Sequence, residues 1–427
     1  MKASKLTKPV IILGAIALIN LILCPASVEA YDKGQPHKVS PPTETKAWVP
    51  VRRTTEKIVR VEQDVMKFKD DTWQLDFYRN NAYKCGLSGN YTFLVVEPRN
   101  NPGKEAPLWL FFHGGGNGYF DADGIYRTLK WQNKDTWNHE SSLDVLLGKI
   151  NPVRKGRFID HTLSRRLKEG YRLLVVSYGD HDVYSGMGTP YPNNPKGGQV
   201  NGLQASMAAV EYTVAHYPTT HVFAHGTSAG STGSYSLGFA FAQEGTNLTG
   251  VVMDSNISTP RRTPIHLAMA ANNSRIVPKK AVEIFGRESK WLGYPRGLIE
   301  KVGVMIDPEY PFIPEAAVRA GYNSVPMLII AGTKDPFFGG SEVPTIAEAR
   351  AAGMGNVQWM WEGMRQAIEQ QKDSPHKLVM LNTGHVPTNK EGNRAHDEVD
   401  AFIRQAVSAR PSYPFKETAI SLGTSHL

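Results

Sequence analysis

His221-Val222-Phe223-Ala224-His225-Gly226-Thr227-Ser228-Ala229-Gly230 runs from a short apolar segment, through a serine flanked by glycines, into the small-residue stretch Ser231–Gly238. A strand that turns into a helix at Gly-x-Ser-x-Gly makes a strained turn and lifts the serine hydroxyl clear of the backbone. Glycines on both sides serve this geometry, because without a Cβ they let strand and helix approach closely and tolerate unusual dihedrals. The same five residues also occur in ordinary tight turns, so the surrounding chain decides the reading.

Outward from this stretch the pattern is one of strands alternating with helices. Trp73–Tyr78 and Asn90–Val96 lie in a region, about 56 to 98, of short alternating runs that predict antiparallel strands opening a sheet. Leu108–Phe112, Arg172–Tyr178, Gly250–Asp254, Pro326–Ile330 and Lys377–Leu381 are continuous apolar runs, as expected of central strands covered on both faces. Between or after them, Leu163–Glu169, Gly202–His216, Val357–Gln371 and Ala395–Ser408 have helical spacing; Leu203, Met207, Val210 and Val214 share one face. The predicted fold class is therefore α/β, a mostly parallel central sheet with helices on both faces.

A serine hydroxyl is a weak nucleophile and needs a histidine to take its proton and a carboxylate to orient that histidine. Ser228, Asp335 and His385 occur in the order serine, acid, histidine, with Asp335 and His385 each just beyond an apolar strand candidate. Asp254 also ends a strand and competes with Asp335; beside Ser255 it reads more simply as a structural carboxylate. His113, His225 and His396 are the weaker candidates for the base. Backbone N–H groups must also face the oxygen that turns negative during attack. Gly114-Gly115-Gly116 after Phe112 lets the backbone come close, so Gly115, Gly116 and Ala229 are the expected donors. This chemistry calls for no metal and no organic cofactor.

Together these features resemble the α/β-hydrolase superfamily, and finer ones are similar to its pectin acetylesterase and Notum branch. Gly226–Gly233 resembles that branch's elbow, Tyr178–Gly186 its Asp-x-aromatic-Ser-Gly segment, Val252–Ser255 its Asp-Ser strand end, and Tyr83–Tyr91 its early Cys-x-Asp-Gly-Ser region. The likeness spans most of residues 80 to 400. It implies an α/β-hydrolase fold and a serine esterase acting on O-acyl esters, O-acetyl groups of a polysaccharide foremost. Three departures stand out. Gly114–Tyr119 replaces the family's Gly-Gly-Trp-Cys loop, Ser231 replaces the second elbow glycine, and the family's disulfides are absent. The altered loop leaves open a lipase or fatty-acyl esterase, and outside enzymes a secreted binding protein built on the same fold.

Composition bounds the rest. The 427 residues are 41% hydrophobic and 21% charged, as in a globular protein with a sizeable core. Lys2, Lys5 and Lys8, the apolar run Val10–Cys24 and the small residues around Ala30 are laid out as a secretory signal peptide, residues 1–30, cleaved after Ala30. The run is short for a spanning helix, and an uncleaved membrane anchor is the alternative. Expected localisation is secreted or periplasmic, with no stable membrane insertion after cleavage. Without residues 1–30 the formal charge of +8 falls to +6, and no basic run with interleaved aromatics supports a nucleic-acid partner; the expected partner is a small-molecule or polysaccharide ester. Cys85 would then be the only cysteine, a buried small hydrophobe. The expected organisation is a flexible arm at 31–55, a hydrolase domain at 56–410 with an insertion at about 260–323, and a tail at 411–427. The insertion reads as a lid over the site or as an ordinary helical layer.

Overall fold

The computed structural model describes residues 53–85, 89–115, 118–120, 123–128, 140–179, 182–190, 194–256, 258–259, 261, 265, 268, 314–319, 321–341 and 343–409. All of them belong to one compact unit, Thr45–Leu427. The expected signal peptide (1–30), most of the expected arm (31–55), the bulk of the expected insertion at about 260–323 and the expected tail (411–427) lie outside the described residues.

In chain order the sheet strands are β1 (Ile58–Phe68), β2 (Asp71–Lys84), β3 (Asn90–Val96), β4 (Ala106–Phe112), β5 (Arg172–Val176), β6 (Thr219–Thr227), β7 (Gly250–Asp254), β8 (Met327–Gly332) and β9 (Lys377–Leu381). The helices are α1 (Leu143–Ile150), α2 (Thr162–Lys168), α3 (Gly202–His216), α4 (Ala229–Gln243), α5 (Pro314–Arg319), α6 (Ala347–Ala351), α7 (Asn356–Glu369) and α8 (Ala395–Ala409). Three short two-stranded ribbons and two 3-10 turns, Pro336–Phe338 and Pro387–Asn389, complete the described elements.

The nine strands form one sheet in the order β1-β2-β3-β5-β4-β6-β7-β8-β9. The first three, and β3 with β5, pair antiparallel; every neighbour from β5 to β9 pairs parallel. This is the α/β-hydrolase arrangement. The continuous apolar runs have a direct cause, because both faces of the central strands are covered. On β4, Leu108, Leu110 and Phe112 face one hydrophobic cluster, which takes in residues of α3, α4 and α7. Trp109 and Phe111 face the other, which takes in residues of α1, α2 and α8. Burying a side chain such as these stabilises the fold by about 1.5–3 kcal/mol each, and alternation between two dry faces leaves no polar position on the strand. β1 differs: an edge strand, it is mostly exposed, with Val59, Val61 and Val65 open to solvent. Helix α1, eight residues long, and the ribbons, whose strands are two or three residues each, leave too little periodicity to be legible from spacing.

Candidate active site

Five adjacent parallel strands set the site, because the loops leaving their carboxyl ends are neighbours. His113–Gly115 follows β4, Ser228 follows β6, Asp254 ends β7, Asp335 follows β8 and His385 follows β9.

Ser228 has φ 55° and ψ −119°. That conformation lies outside the regions open to L-residues without strain, and positions of this kind cost of order 1–3 kcal/mol. Two things hold it. The Ser228 N–H donates to the Asp254 carbonyl at 2.8 Å, and Ser231 N–H donates back to the Ser228 carbonyl at 3.0 Å. The flanking glycines are sterically required: a Cβ on Gly226 would run into the Gly230 carbonyl and come 2.6 Å from Ser231 Cα. One on Gly230 would run into the carbonyl of Phe112 and come 2.7 Å from that of His113. The serine in place of the second elbow glycine also has a role, since Ser231 Oγ donates to the Ser228 carbonyl at 2.5 Å.

Asp335 is fully buried and its Oδ2 lies 2.7 Å from His385 Nδ1. A carboxylate accepts only, so Nδ1 carries the proton and Nε2 is the basic nitrogen. The other carboxylate oxygen accepts the Phe337 N–H at 2.9 Å, which fixes its plane. The His385 ring is packed by Phe337 and Phe338, with centroids 4.8 and 5.4 Å away, and keeps 22% of its side chain exposed. Asp254, the rival acid, instead receives Thr388 and Ser255, and burial pushes its carboxyl up to about 6. Ser255 Oγ in turn accepts the Val386 N–H at 2.9 Å, so β7 holds the loop that carries His385.

The remaining candidates divide. Gly115 lies beside the Tyr178 ring, and a Cβ on Gly114 would be 3.1 Å from Ser228 Cβ, which puts this loop against the serine. Ala229 begins α4, where the backbone N–H has no acceptor within the helix. Gly116 lies outside the described residues. His225 is buried between the Trp109 and Phe111 rings, its Nε2 3.2 Å from Thr388 Oγ1, and burial depresses it to about 3. His396 bonds the Thr162 hydroxyl and the Lys390 carbonyl, and no contact joins it to Ser228 or Asp335 among the bonds of the described residues. Cys85 is half-buried against the core rather than fully buried as expected, because the strand carrying it ends at Lys84.

No family model matches the chain, and no curated relative does. Solved structures similar to it include esterases and an S-formylglutathione hydrolase. A Pyrococcus furiosus esterase is 14% identical, with 86% of this chain and 97% of that one covered and a TM-score of 0.35. An S-formylglutathione hydrolase from Agrobacterium tumefaciens is 12% identical over 81% and 99%, at 0.42, and a structure from a study of two Rhizomucor miehei esterases is 15% identical over 83% and 85%, also at 0.42. At such identities and scores, strand order and the direction of each pairing define the fold.

Sequence reasoning missed two residues around the site. Thr388, in the His385 loop, donates to Asp254, and Glu140 binds His113. Neither belongs to a local motif that would have marked it; Ser255, which accepts the Val386 N–H, stands in the Asp-Ser strand end already noted.

Proposed function

We propose that the chain is a secreted serine carboxylesterase. The observation that carries this reading is the 2.7 Å contact of Asp335 with His385 Nδ1 at the ends of neighbouring strands, on the same carboxyl-end edge of the sheet as the strained Ser228 turn. Ser228 Oγ attacks the ester carbonyl carbon while His385 Nε2 takes its proton. Asp335 holds the tautomer and stabilises the imidazolium that forms. The carbonyl oxygen, now negative, is held by the N–H groups of Gly115, Gly116 and Ala229; each donor of this kind lowers the barrier by roughly 3 kcal/mol. The tetrahedral intermediate collapses as His385 gives its proton to the leaving alcohol. Water, activated by the same histidine, then releases the acid from Ser228.

The favoured substrate is an O-acetyl group on a polysaccharide, on the resemblance to pectin acetylesterases. A fatty-acyl esterase is the second reading, favoured by Phe337, a phenyl ring 36% exposed beside His385. Fluorophosphonate labelling traced to Ser228 by mass comes first. Hydrolysis of aryl esters of increasing acyl length by wild type and Ser228→Ala follows. Turnover that depends on Ser228 and is fastest with acetate supports the acetylesterase; fastest turnover with long chains replaces it with the second reading. No Ser228-dependent turnover on any ester leaves a non-catalytic binding protein.

A further inference from the structure

The loop after β4 is built around His113, and the two ring nitrogens of His113 face two acceptors. Nε2 is 3.1 Å from Glu140 Oε2, and Nδ1 is 2.9 Å from the Gly114 carbonyl oxygen. A carboxylate and a carbonyl cannot donate, and a neutral imidazole has one N–H. Only a ring with both protons satisfies both contacts.

Glu140 is itself almost fully buried and held by several donors. Lys149 Nζ lies 2.9 Å from Oε1, and the Tyr178 N–H at the end of β5 donates to Oε2 beside His113. The Thr92 hydroxyl on β3 donates to its backbone carbonyl. Burial alone would raise this carboxyl, but the charge and hydrogen bond of His113, with Lys149 and the Tyr178 N–H, bring it down to about 2. The Tyr178 and Tyr184 rings stand edge-on to His113, with centroids 5.9 and 6.0 Å away, and the Tyr184 hydroxyl donates to the His113 carbonyl at 3.0 Å. Burial pushes both phenols well up, so neither brings a charge. Glu140 is the charge against this ring, with Lys149 paired to Glu140 behind it; Asp182, bonded to Tyr91 and the Tyr184 N–H, acts on the two phenols.

The peptide plane turns this into a catalytic matter. In a trans peptide the C=O of Gly114 and the N–H of Gly115 point in opposite directions. Gripping the Gly114 oxygen on the His113 side therefore aims the Gly115 N–H away from it.

We propose that Glu140 is the positioning residue of the oxyanion loop, holding His113 as an imidazolium whose Nδ1–H fixes the Gly114–Gly115 peptide so that its N–H faces the developing oxyanion. This rests on the esterase reading, and one of its tests does not. In protein labelled with 15N-histidine at neutral pH, the ring signal lost in His113→Asn shows two protonated nitrogens, and in Glu140→Gln it shows one. A singly protonated His113 ring in wild type overturns the proposal whatever the activity, and this measurement stands even where Glu140→Gln does not fold. In steady-state assays with an aryl ester, Glu140→Gln lowers kcat by about 10- to 100-fold with KM changed less than about threefold, because the donor engages in the transition state. Glu140→Asp recovers part of the loss. Wild-type kcat in a folded Glu140→Gln also overturns the proposal, whereas absence of turnover in wild type, with the two-proton ring present, removes the esterase reading and leaves the Glu140–His113 pair standing.

Discussion

Asp254 Oδ2 accepts both the backbone N–H of Thr388, at 2.8 Å, and its hydroxyl, at 2.5 Å. Thr388 is three residues beyond His385, so the carboxylate at the end of β7 grips the loop that presents the histidine rather than the imidazole. With its own hydrogen given to Asp254, the Thr388 hydroxyl accepts from His225 Nε2, which fixes the tautomer of that buried ring. The two strand-ending acids thus divide their tasks: Asp335 orients the ring, and Asp254 anchors its loop.

Exchanging each acid for its amide separates these tasks. Asp335→Asn puts the wrong tautomer at Nδ1, and kcat falls by about 10³- to 10⁴-fold. Asp254→Asn keeps an acceptor for Thr388 and lowers kcat by less than about tenfold. Steady-state kinetics of the two variants on one aryl ester check this. Full activity in Asp335→Asn would mean that another group orients His385.

Stability should carry the mark of Asp254 in a defined pH window. Its carboxyl is raised from 3.8 to about 6 in the fold, so between those values the native state binds the proton that the unfolded state releases. The contribution is present below about pH 4 and is lost as pH rises through 6, roughly 3 kcal/mol in all. Urea unfolding of wild type and Asp254→Asn at pH 4 and pH 7 isolates it as a difference of differences. An identical pH response in the two proteins would contradict the assignment.

The strain at Ser228 predicts a conflict between stability and function. Ser228→Gly relieves a φ of 55° at a residue that otherwise carries a Cβ. Allowing for glycine's larger chain entropy, it should be about 1 kcal/mol more stable than Ser228→Ala, which keeps the strain. Both variants are inactive. Thermal denaturation ranks them, and equal melting temperatures would mean that the turn stores no strain.

Glycine substitutions test the close approach of strand and helix. Gly226→Ala and Gly230→Ala each force a Cβ into backbone carbonyls that cannot step aside, and should cost about 3 kcal/mol or more. Gly353→Ala, at φ +67° in open space, meets nothing and should cost only about 1 kcal/mol. Melting temperatures of the three variants give the order.

Much of the architecture was legible because burial leaves a local mark. Leu108–Phe112 has no polar residue where a one-faced strand would need one, whereas the edge strand Lys377–Leu381 is only partly buried and begins at the exposed Lys377; Gly226 and Gly230 bracket a turn that no other residue allows. The structure also brings the Asp335 and His385 of the ordered triad within hydrogen-bonding distance. Glu140 left no such mark. It is 27 residues from His113 and outside any periodic segment, and only the return of the chain through α1 and β5 brings it beneath the loop.

The amino-acid sequence by itself determined the order of the strands along the chain, their two-sided burial and the strained serine turn, because each follows from the pattern or bulk of residues near one another. The tertiary structure alone decided which acid meets which histidine. Asp335 and Asp254 both end apolar strands, and His113 and His385 both follow them. The pairings Asp335–His385, Glu140–His113 and Asp254–Thr388 depend on which strands become neighbours in the sheet, a property of the packed whole that no local stretch encodes.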